Sequence, residues 1–470
     1  MSTVKGKGVS VLNIREVAEA VKGCLLAGDS TQVFGGVSTD SRRVVPDTIF
    51  VALAGQKYDG HRFVIEALDR GAAGAIVSRQ ADLPPHYRER VLIRVENTLK
   101  ALQDLAVAWR QQFQVPVVGV TGSNGKTTTK DMIADVLGIK LPTLKTEANL
   151  NNEIGLPLTL LQLQPHHKAV VVEMGMRGLG QISQLCEIAR PRIGVITNIG
   201  VAHLELLGTV ENIARAKGEL IEQIPVEGYA VLNGDDPWCR KISQRCSGKT
   251  IFYGLESPVQ VKARNIRYRG EAGMEFEADI EGERAPAFLP AMGEHNVRNA
   301  IAAIGVGYCL GLTLEEAVRG LASLSLSSMR LQIVPSSHGG MIINDAYNAN
   351  PDSTVASLEV LSKIRKNRAI AVLGDMYELG PLVERGHYQV GETAAHLGID
   401  ILVAVGPLSR HTVAGAIAAG MDAKRVAYCK TKEEALAFLL GILLEGDTVL
   451  VKASRGMAME QIVQGLTRMR

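Results

Sequence analysis

Between Val117 and Lys130 the chain reads Val-Val-Gly-Val-Thr-Gly-Ser-Asn-Gly-Lys-Thr-Thr-Thr-Lys, an apolar strand that runs into a glycine-bracketed loop and then into a helix. Gly122 and Gly125 let the backbone turn with its N–H groups inward. Lys126 brings a cation, and Thr127 offers a hydroxyl to a magnesium ion at a helix N-terminus. Thr121, Ser123, Asn124 and Thr128 complete a cradle whose natural occupant is a nucleotide triphosphate. The general pattern G-x-x-x-x-G-K-[ST] would place its first glycine at position 120, where this chain has Val120.

Downstream, short β-branched runs alternate with helical patterns: Val117–Val120 then Lys130–Leu137, Ala169–Val172 then Ile182–Ile188, and Ile193–Thr197 then Val210–Ile224. Such alternation predicts an α/β fold, a parallel sheet with helices on both faces. Val259–Phe288 alternates apolar and polar residues without helical period and reads as a small antiparallel section. A second series follows Arg330, with strands at Met341–Asn344, Ala369–Leu373, Ile401–Val405 and Val449–Val451. Their carboxyl ends carry Asp345, Gly374-Asp375, Gly406 and Lys452, at the edge where open parallel sheets bind ligands. Toward the N-terminus lie strands Thr48–Leu53 and Gly74–Val77, and a helix over Thr98–Phe113 ends before Pro116. Three domains are expected: a small α/β domain over 1–114, a central P-loop domain over 115–328 and a Rossmann-like α/β domain over 329–470.

At 470 residues, 46% hydrophobic, the chain can build several cores. A net charge of +2 gives no basic stripe for nucleic acid or an anionic membrane. Residues 1–8 carry no apolar leader, and the longest apolar run, Ala435–Leu444, is about half of the ~20 residues a bilayer span needs. The chain therefore reads as cytoplasmic; nothing in it suggests an obligate partner, and a monomer is expected. Six cysteines without a C-x-x-C pair suggest neither a disulfide framework nor a zinc site.

Glu173 closes a strand that, if it neighbours the loop strand, sets a hard oxygen ligand beside it; alone it reads as a solvated strand-end carboxylate. His203 follows the next strand in the same topological position, suited to a metal or a phosphate. Lys217 sits on the apolar stripe made by Ile213, Leu220, Ile221 and Ile224. It must snorkel, pair with an acid or lose its charge, and a neutral amine there can take up CO₂ as a metal-binding carbamate. Asn296 and Asn299, one helical turn apart, can face one ligand such as an adenine edge, or else cap and pack. The turns Asp345-Ala346-Tyr347-Asn348-Ala349-Asn350-Pro351 and Lys452-Ala453-Ser454-Arg455 are poor sequences for packing and good ones for a site.

Together these residues resemble the Mur ligase family, ATP-dependent amide-forming enzymes of bacterial cell-wall synthesis, over essentially the whole chain. Thr121–Thr127, Glu173, Thr197-Asn198 with His203, Lys217, Gly293 to Asn299, Arg330 and Asp345 stand in the family's order. Asn149–Pro157, Asp345–Ser353 and Gly374–Gly380 are similar to the member that adds D-alanyl-D-alanine, and the Asp-Asn-Pro-Arg of diaminopimelate-adding members is missing. The resemblance implies that Lys126 and the loop amides hold the β- and γ-phosphates of ATP. It implies Thr127 and Glu173 as ligands of one Mg²⁺, with His203 and a carbamate on Lys217 serving a second. Asn296 and Asn299 would face adenine, Asp345 the ribose and Arg330 the phosphates. Ser38, Thr39, Asp40, Ser41, Arg42 and Asp59 would bind UDP-N-acetylmuramoyl-tripeptide, and Asn151 and Asn152 would be further substrate-binding residues. Tyr347, Asn348, Asn350, Lys452, Ser454 and Arg455 would receive D-alanyl-D-alanine, in a third domain that closes over ATP.

The rivals are another Mur ligase, a folylpolyglutamate synthetase-like ligase, a P-loop regulatory GTPase or a non-catalytic nucleotide-binding scaffold. The Tyr-Asn-Ala-Asn-Pro segment disfavours the first two. A GTPase should carry a guanine-reading Asn-Lys-x-Asp, which is not found, and a scaffold should tolerate loss of the lysines and the histidine that this chain keeps.

Overall fold

The computed structural model describes residues 12–29, 32–55, 58–79, 87, 90–324 and 327–468. Residues 1–8, read above as lacking a leader, lie outside them. The chain divides into two compact units. The first takes 1–119, 141–176 and 180–193, and the second takes 120–140, 177–179 and 194–470.

The first unit holds a five-stranded sheet in the spatial order Cys24–Ala27, Val91–Arg94, Gly74–Val77, Thr48–Val51, Gly36–Ser38. Its first pair is antiparallel and the rest are parallel. The helix Thr98–Gln111 starts where Asn97 Oδ1 accepts the N–H groups of Leu99 and Lys100. Its apolar stripe, Ala101, Leu102 and Leu105, enters a core with Ile14, Ile49, Ile76 and Ile93. Each fully buried aliphatic side chain there contributes roughly 1.5–3 kcal/mol. Ile154, Leu158 and Leu161 pack against the same core, and the Trp109 indole N–H donates to Leu163 O at 3.2 Å. In this unit Thr143–Lys145 also pairs in parallel with Ala169–Glu173. The latter lies beside the start of the loop strand, with Val170 N–H donating to Pro116 O at 3.0 Å.

In the second unit Tyr229–Asn233, Lys249–Gly254 and Val261–Tyr268 run parallel. Met274–Ile280 and Glu283–Leu289 then return in an antiparallel meander, as the alternation over 259–288 predicts. Farther along this unit is a six-stranded sheet, ordered Gln332–Pro335, Met341–Asn344, Thr448–Lys452, Ala369–Gly374, Ile401–Val405, Val426–Cys429. Only its first pair is antiparallel. The interiors of its four inner strands are buried Val, Ile, Leu and Ala, the composition of a sheet covered on both faces, whereas the two edge strands stay partly exposed. Asp345, Asp375, Gly406 and Lys452 therefore come together at one edge, the carboxyl ends of four parallel strands. Among the described residues no helix is long and apolar enough to cross a membrane.

Candidate active site

The loop strand runs Val117–Thr121 and the helix begins at Lys126. Val120 is a fully buried strand residue, so the turn begins later than in the general pattern and position 120 needs no glycine. Gly122 does: at φ 149° a Cβ would stand 1.8 Å from Thr197 Oγ1. Gly125, at φ 78°, has Asn299 Oδ1 2.7 Å from where a Cβ would be. The segment after the strand Ile193–Ile196 holds the loop. Ser123 N–H donates to Asn198 O at 2.9 Å, Asn124 N–H to Asn198 Oδ1 at 3.0 Å, and Thr197 Oγ1 to Asn124 O at 2.5 Å. Thr127 and Thr128 are buried in the first helical turn, where backbone N–H groups and the helix dipole favour an anion.

Lys126 Nζ donates to Gly122 O at 2.8 Å, and Lys217 Nζ donates to the same oxygen at 3.0 Å. Lys217 is 1% exposed on the helix Val210–Glu222, so it does not snorkel, and among the described residues it has no carboxylate partner. Burial, then the charge of Lys126, pushes its pKa well below the ordinary lysine value. His203 stands at the head of the short helix Leu204–Leu207 with φ 68°. Its Nδ1 lies 2.7 Å from Glu378 Oε2. Burial, then the positive charge of Lys126, lowers the His203 pKa, against the opposing pull of Glu378. Glu378 is the partner that sequence reasoning missed. Its segment is one of those that resemble the family, but nothing local ties it to a histidine 175 positions away.

Arg330 reaches the loop: its Nη2 donates to Thr127 Oγ1 at 2.8 Å, and its guanidinium lies 4.3 Å from the Tyr347 ring centroid. Asp345 accepts from Lys452 Nζ at 2.5 Å, Ser357 Oγ at 2.6 Å and Leu331 N–H at 3.2 Å. Lys452 also donates to Asn348 O at 3.0 Å. Asn350 caps the helix Pro351–Ile364 and passes its amide to Asn124 Oδ1 at 2.7 Å. Asn299 Nδ2 donates to Asn296 Oδ1 at 3.1 Å, and Asn296 Nδ2 to Met292 O at 2.8 Å, so the two amides form a chain against the loop. Ser454 Oγ accepts the Tyr377 N–H at 2.8 Å, and Arg455 pairs with Glu460 at 2.9 Å.

In the first unit, buried Glu173 accepts from Asn151 Nδ2 at 2.7 Å. Asn152 Oδ1 accepts from Ile154 and Gly155 N–H at the start of the helix Gly155–Leu160, a capping use of that side chain. Asp40 binds the Arg42 guanidinium through both carboxylate oxygens at 2.9 and 2.8 Å, which brings its pKa down to about 2. Ser38 Oγ donates to Asp40 O, and Ser41 Oγ to Glu66. Thr39 stands between them on the same turn. Asp59 accepts from His61 Nδ1 at 2.7 Å and pairs with Arg79.

Among the described residues no three His, Cys, Asp or Glu side chains converge as a metal cage. Magnesium does not require one. It commonly keeps its waters and takes one or two carboxylates plus substrate phosphate oxygens, and the Thr127 hydroxyl and Glu173 carboxylate are donors of that hard kind.

Three family descriptions match the chain: "Mur ligase family, catalytic domain" over residues 33–110, "Mur ligase middle domain" over 120–307 and "Mur ligase, glutamate ligase domain" over 329–455. The sequence is 39% identical over 455 residues to the UDP-N-acetylmuramoyl-tripeptide--D-alanyl-D-alanine ligase of Bacillus subtilis (strain 168), covering 96% of this chain and 98% of that one. This chain belongs to the Mur ligase family. Among solved structures it is similar to MurF from Acinetobacter baumannii, with TM-score 0.87, 31% identity and coverage of 97% and 99% of the two chains. MurF ligase from Thermotoga maritima in complex with ADP gives TM-score 0.80 at 31% identity, over 92% of this chain and 96% of that one. The three-part α/β architecture is that of the family.

Proposed function

We propose that this Mur ligase joins D-alanyl-D-alanine to the terminal carboxylate of UDP-N-acetylmuramoyl-tripeptide at the expense of ATP, in the synthesis of peptidoglycan precursors. The observation that carries the reading is the meeting of Lys126, Lys217 and His203 at a phosphate loop, in a chain that matches ligases of this type over nearly its full length.

The chemistry follows from a physical need. A carboxylate is a poor acyl electrophile and its oxygen a poor leaving group. Attack of the carboxylate oxygen on the γ-phosphorus of ATP forms an O–P bond and breaks the bond to ADP, giving an acyl phosphate. The neutral amine of the dipeptide then attacks the acyl carbon, the nitrogen gives up one proton, and the tetrahedral intermediate expels phosphate, which can carry that proton, and leaves the amide. Lys126 and the loop N–H groups neutralise charge on the phosphate oxygens, and Arg330 adds a second cation beside Thr127. Mg²⁺, when bound, supplies Lewis-acid neutralisation of the same oxygens. Thr127 and Glu173 are the residues to hold one ion, and His203 and Lys217 those to hold another. Low proton affinity suits Lys217 to carbamate formation, in which its free amine adds to CO₂ with loss of one proton.

Asn296 and Asn299 are assigned to the adenine and Asp345 to the ribose. Ser38 to Arg42, Asp59, Asn151 and Asn152 are assigned to the UDP-tripeptide. Tyr347, Asn348, Asn350, Lys452, Ser454 and Arg455 are assigned to the dipeptide. We place domain boundaries near 114 and 328 and take the protein to act as a cytoplasmic monomer. The test measures ADP release with each substrate withheld in turn. Turnover should require ATP, the UDP-tripeptide and D-alanyl-D-alanine together, and brisk release without the dipeptide would sink the reading.

A further inference from the structure

Glu378 has no role in the reaction as written, yet it is held with unusual care. The carboxylate Oε2 lies 2.7 Å from His203 Nδ1. Both residues are non-glycine positions in the left-handed region, at φ 62° for Glu378 and 68° for His203. Such conformations persist where the surroundings over-determine them, and they gather at functional sites. Here the surroundings act on three consecutive residues just before Glu378. The Asp375 carboxylate accepts from Leu408 N–H, Ser409 N–H and Ser409 Oγ. Met376 N–H donates to His387 Nε2 at 2.9 Å, and Tyr377 N–H donates to Ser454 Oγ at 2.8 Å. Just beyond, Gly380 lies so close to Glu205 that a Cβ would sit 3.0 Å from its Cα. The Glu378 side chain is therefore delivered to His203 by a fixed backbone.

The donor arithmetic is simple. An ionised carboxylate only accepts, so a neutral imidazole facing it must carry its proton on Nδ1, which leaves Nε2 as the ring's one lone-pair donor. We propose that Glu378 is a positioning residue: it fixes His203 as the Nδ1–H tautomer and so presents Nε2 to a cation at the ligase site. The proposal rests on the ligase reading for what Nε2 serves. A carboxylate behind a metal-binding histidine is a general arrangement for this purpose, and its loss typically costs 10–100-fold in metal affinity or activity.

The experiment uses the full chain labelled with ¹⁵N-histidine, with His203 assigned by difference from His203→Gln. Long-range ¹H–¹⁵N correlation of the magnesium-free protein should show the Nδ1–H pattern for His203 in the wild type and in Glu378→Gln, whose amide oxygen can still accept. In Glu378→Ala the pattern should move toward Nε2–H. In ligase assays Glu378→Ala should raise the half-saturating Mg²⁺ concentration by roughly 10-fold and lower kcat, with the KM for ATP little changed. Glu378→Gln should recover most of that loss. An unchanged tautomer in Glu378→Ala overturns the proposal, and so does a changed tautomer with unaltered Mg²⁺ dependence, which would make the contact a structural latch alone. Failure of the ligase reading is seen separately, as wild-type protein that shows no dipeptide-dependent ADP release.

Discussion

At the scale of single residues, the buried charges decide most. Asp345 and Lys452 are 8% and 4% exposed and face each other at 2.5 Å. Removing one partner leaves the other charge buried, which destabilises by roughly 3–5 kcal/mol, whereas replacing both by apolar groups is often nearly neutral. Asp345→Ala should therefore lower the urea midpoint sharply, and the double variant Asp345→Ala/Lys452→Met should recover most of the stability while remaining inactive. His295 is pushed down to about 4 from 6.5, first by burial. The unfolded chain takes up this proton at higher pH than the folded one, so the stability associated with neutral His295 is complete above pH 6.5 and lost as pH falls toward 4. Thermal unfolding followed across that window should flatten in His295→Gln. The Asp40 pair acts in a lower window, its stability present above 3.8 and lost as pH falls through about 2.

Lys217 was legible in the sequence because a charge on an apolar helical stripe contradicts its neighbours. What the stripe could not reveal was the choice among snorkelling, an acid partner and neutrality, which depends on the Gly122 carbonyl arriving from 95 residues away. Glu378 was illegible for a related reason. Its reach to His203 depends on two left-handed backbone conformations that no local pattern announces.

At the scale of elements, the helix Pro351–Ile364 shows how one residue serves two ends. Asn350 Oδ1 accepts the Ser353 N–H as a cap, while its Nδ2 donates to Asn124 of the phosphate loop. Asn350→Ser keeps a capping oxygen but is too short to reach Asn124, and Asn350→Ala loses both. Chemical denaturation should find Asn350→Ala about 1 kcal/mol less stable than Asn350→Ser. Steady-state assays should find both lowered alike, by roughly 2- to 10-fold in kcat/KM, the equivalent of one neutral hydrogen bond. Long apolar runs such as Ala369–Gly374 and Ile401–Val405 were readable as buried parallel strands. Cys24–Ala27, Gly36–Ser38 and Lys249–Gly254 were not: the first two run only four and three residues, and the third leaves its first four residues exposed or half-buried.

At the scale of the whole molecule, binding should appear as stability. A ligand at about 100 times its Kd adds about 2.7 kcal/mol to the unfolding free energy. ATP with Mg²⁺ should raise the wild-type Tm in a concentration-dependent way, and Lys126→Ala should need far more ATP for the same shift. Much of the architecture could be read from alternating strands and helices, down to the antiparallel meander. The place of residues 141–176 could not, since Ile154, Leu158 and Leu161 join the N-terminal core by packing that no periodicity encodes.

The Gly122 carbonyl, which accepts from both Lys126 and Lys217, has a thermodynamic consequence. An anion that draws Lys126 toward itself takes a positive neighbour away from the buried amine and so alters the affinity of Lys217 for protons. Linkage is reciprocal: whatever changes the protonation or covalent state of Lys217 must change the grip of the loop on that anion by the same factor. One backbone oxygen thus makes nucleotide occupancy and the chemistry of a buried lysine two readings of a single coupling free energy.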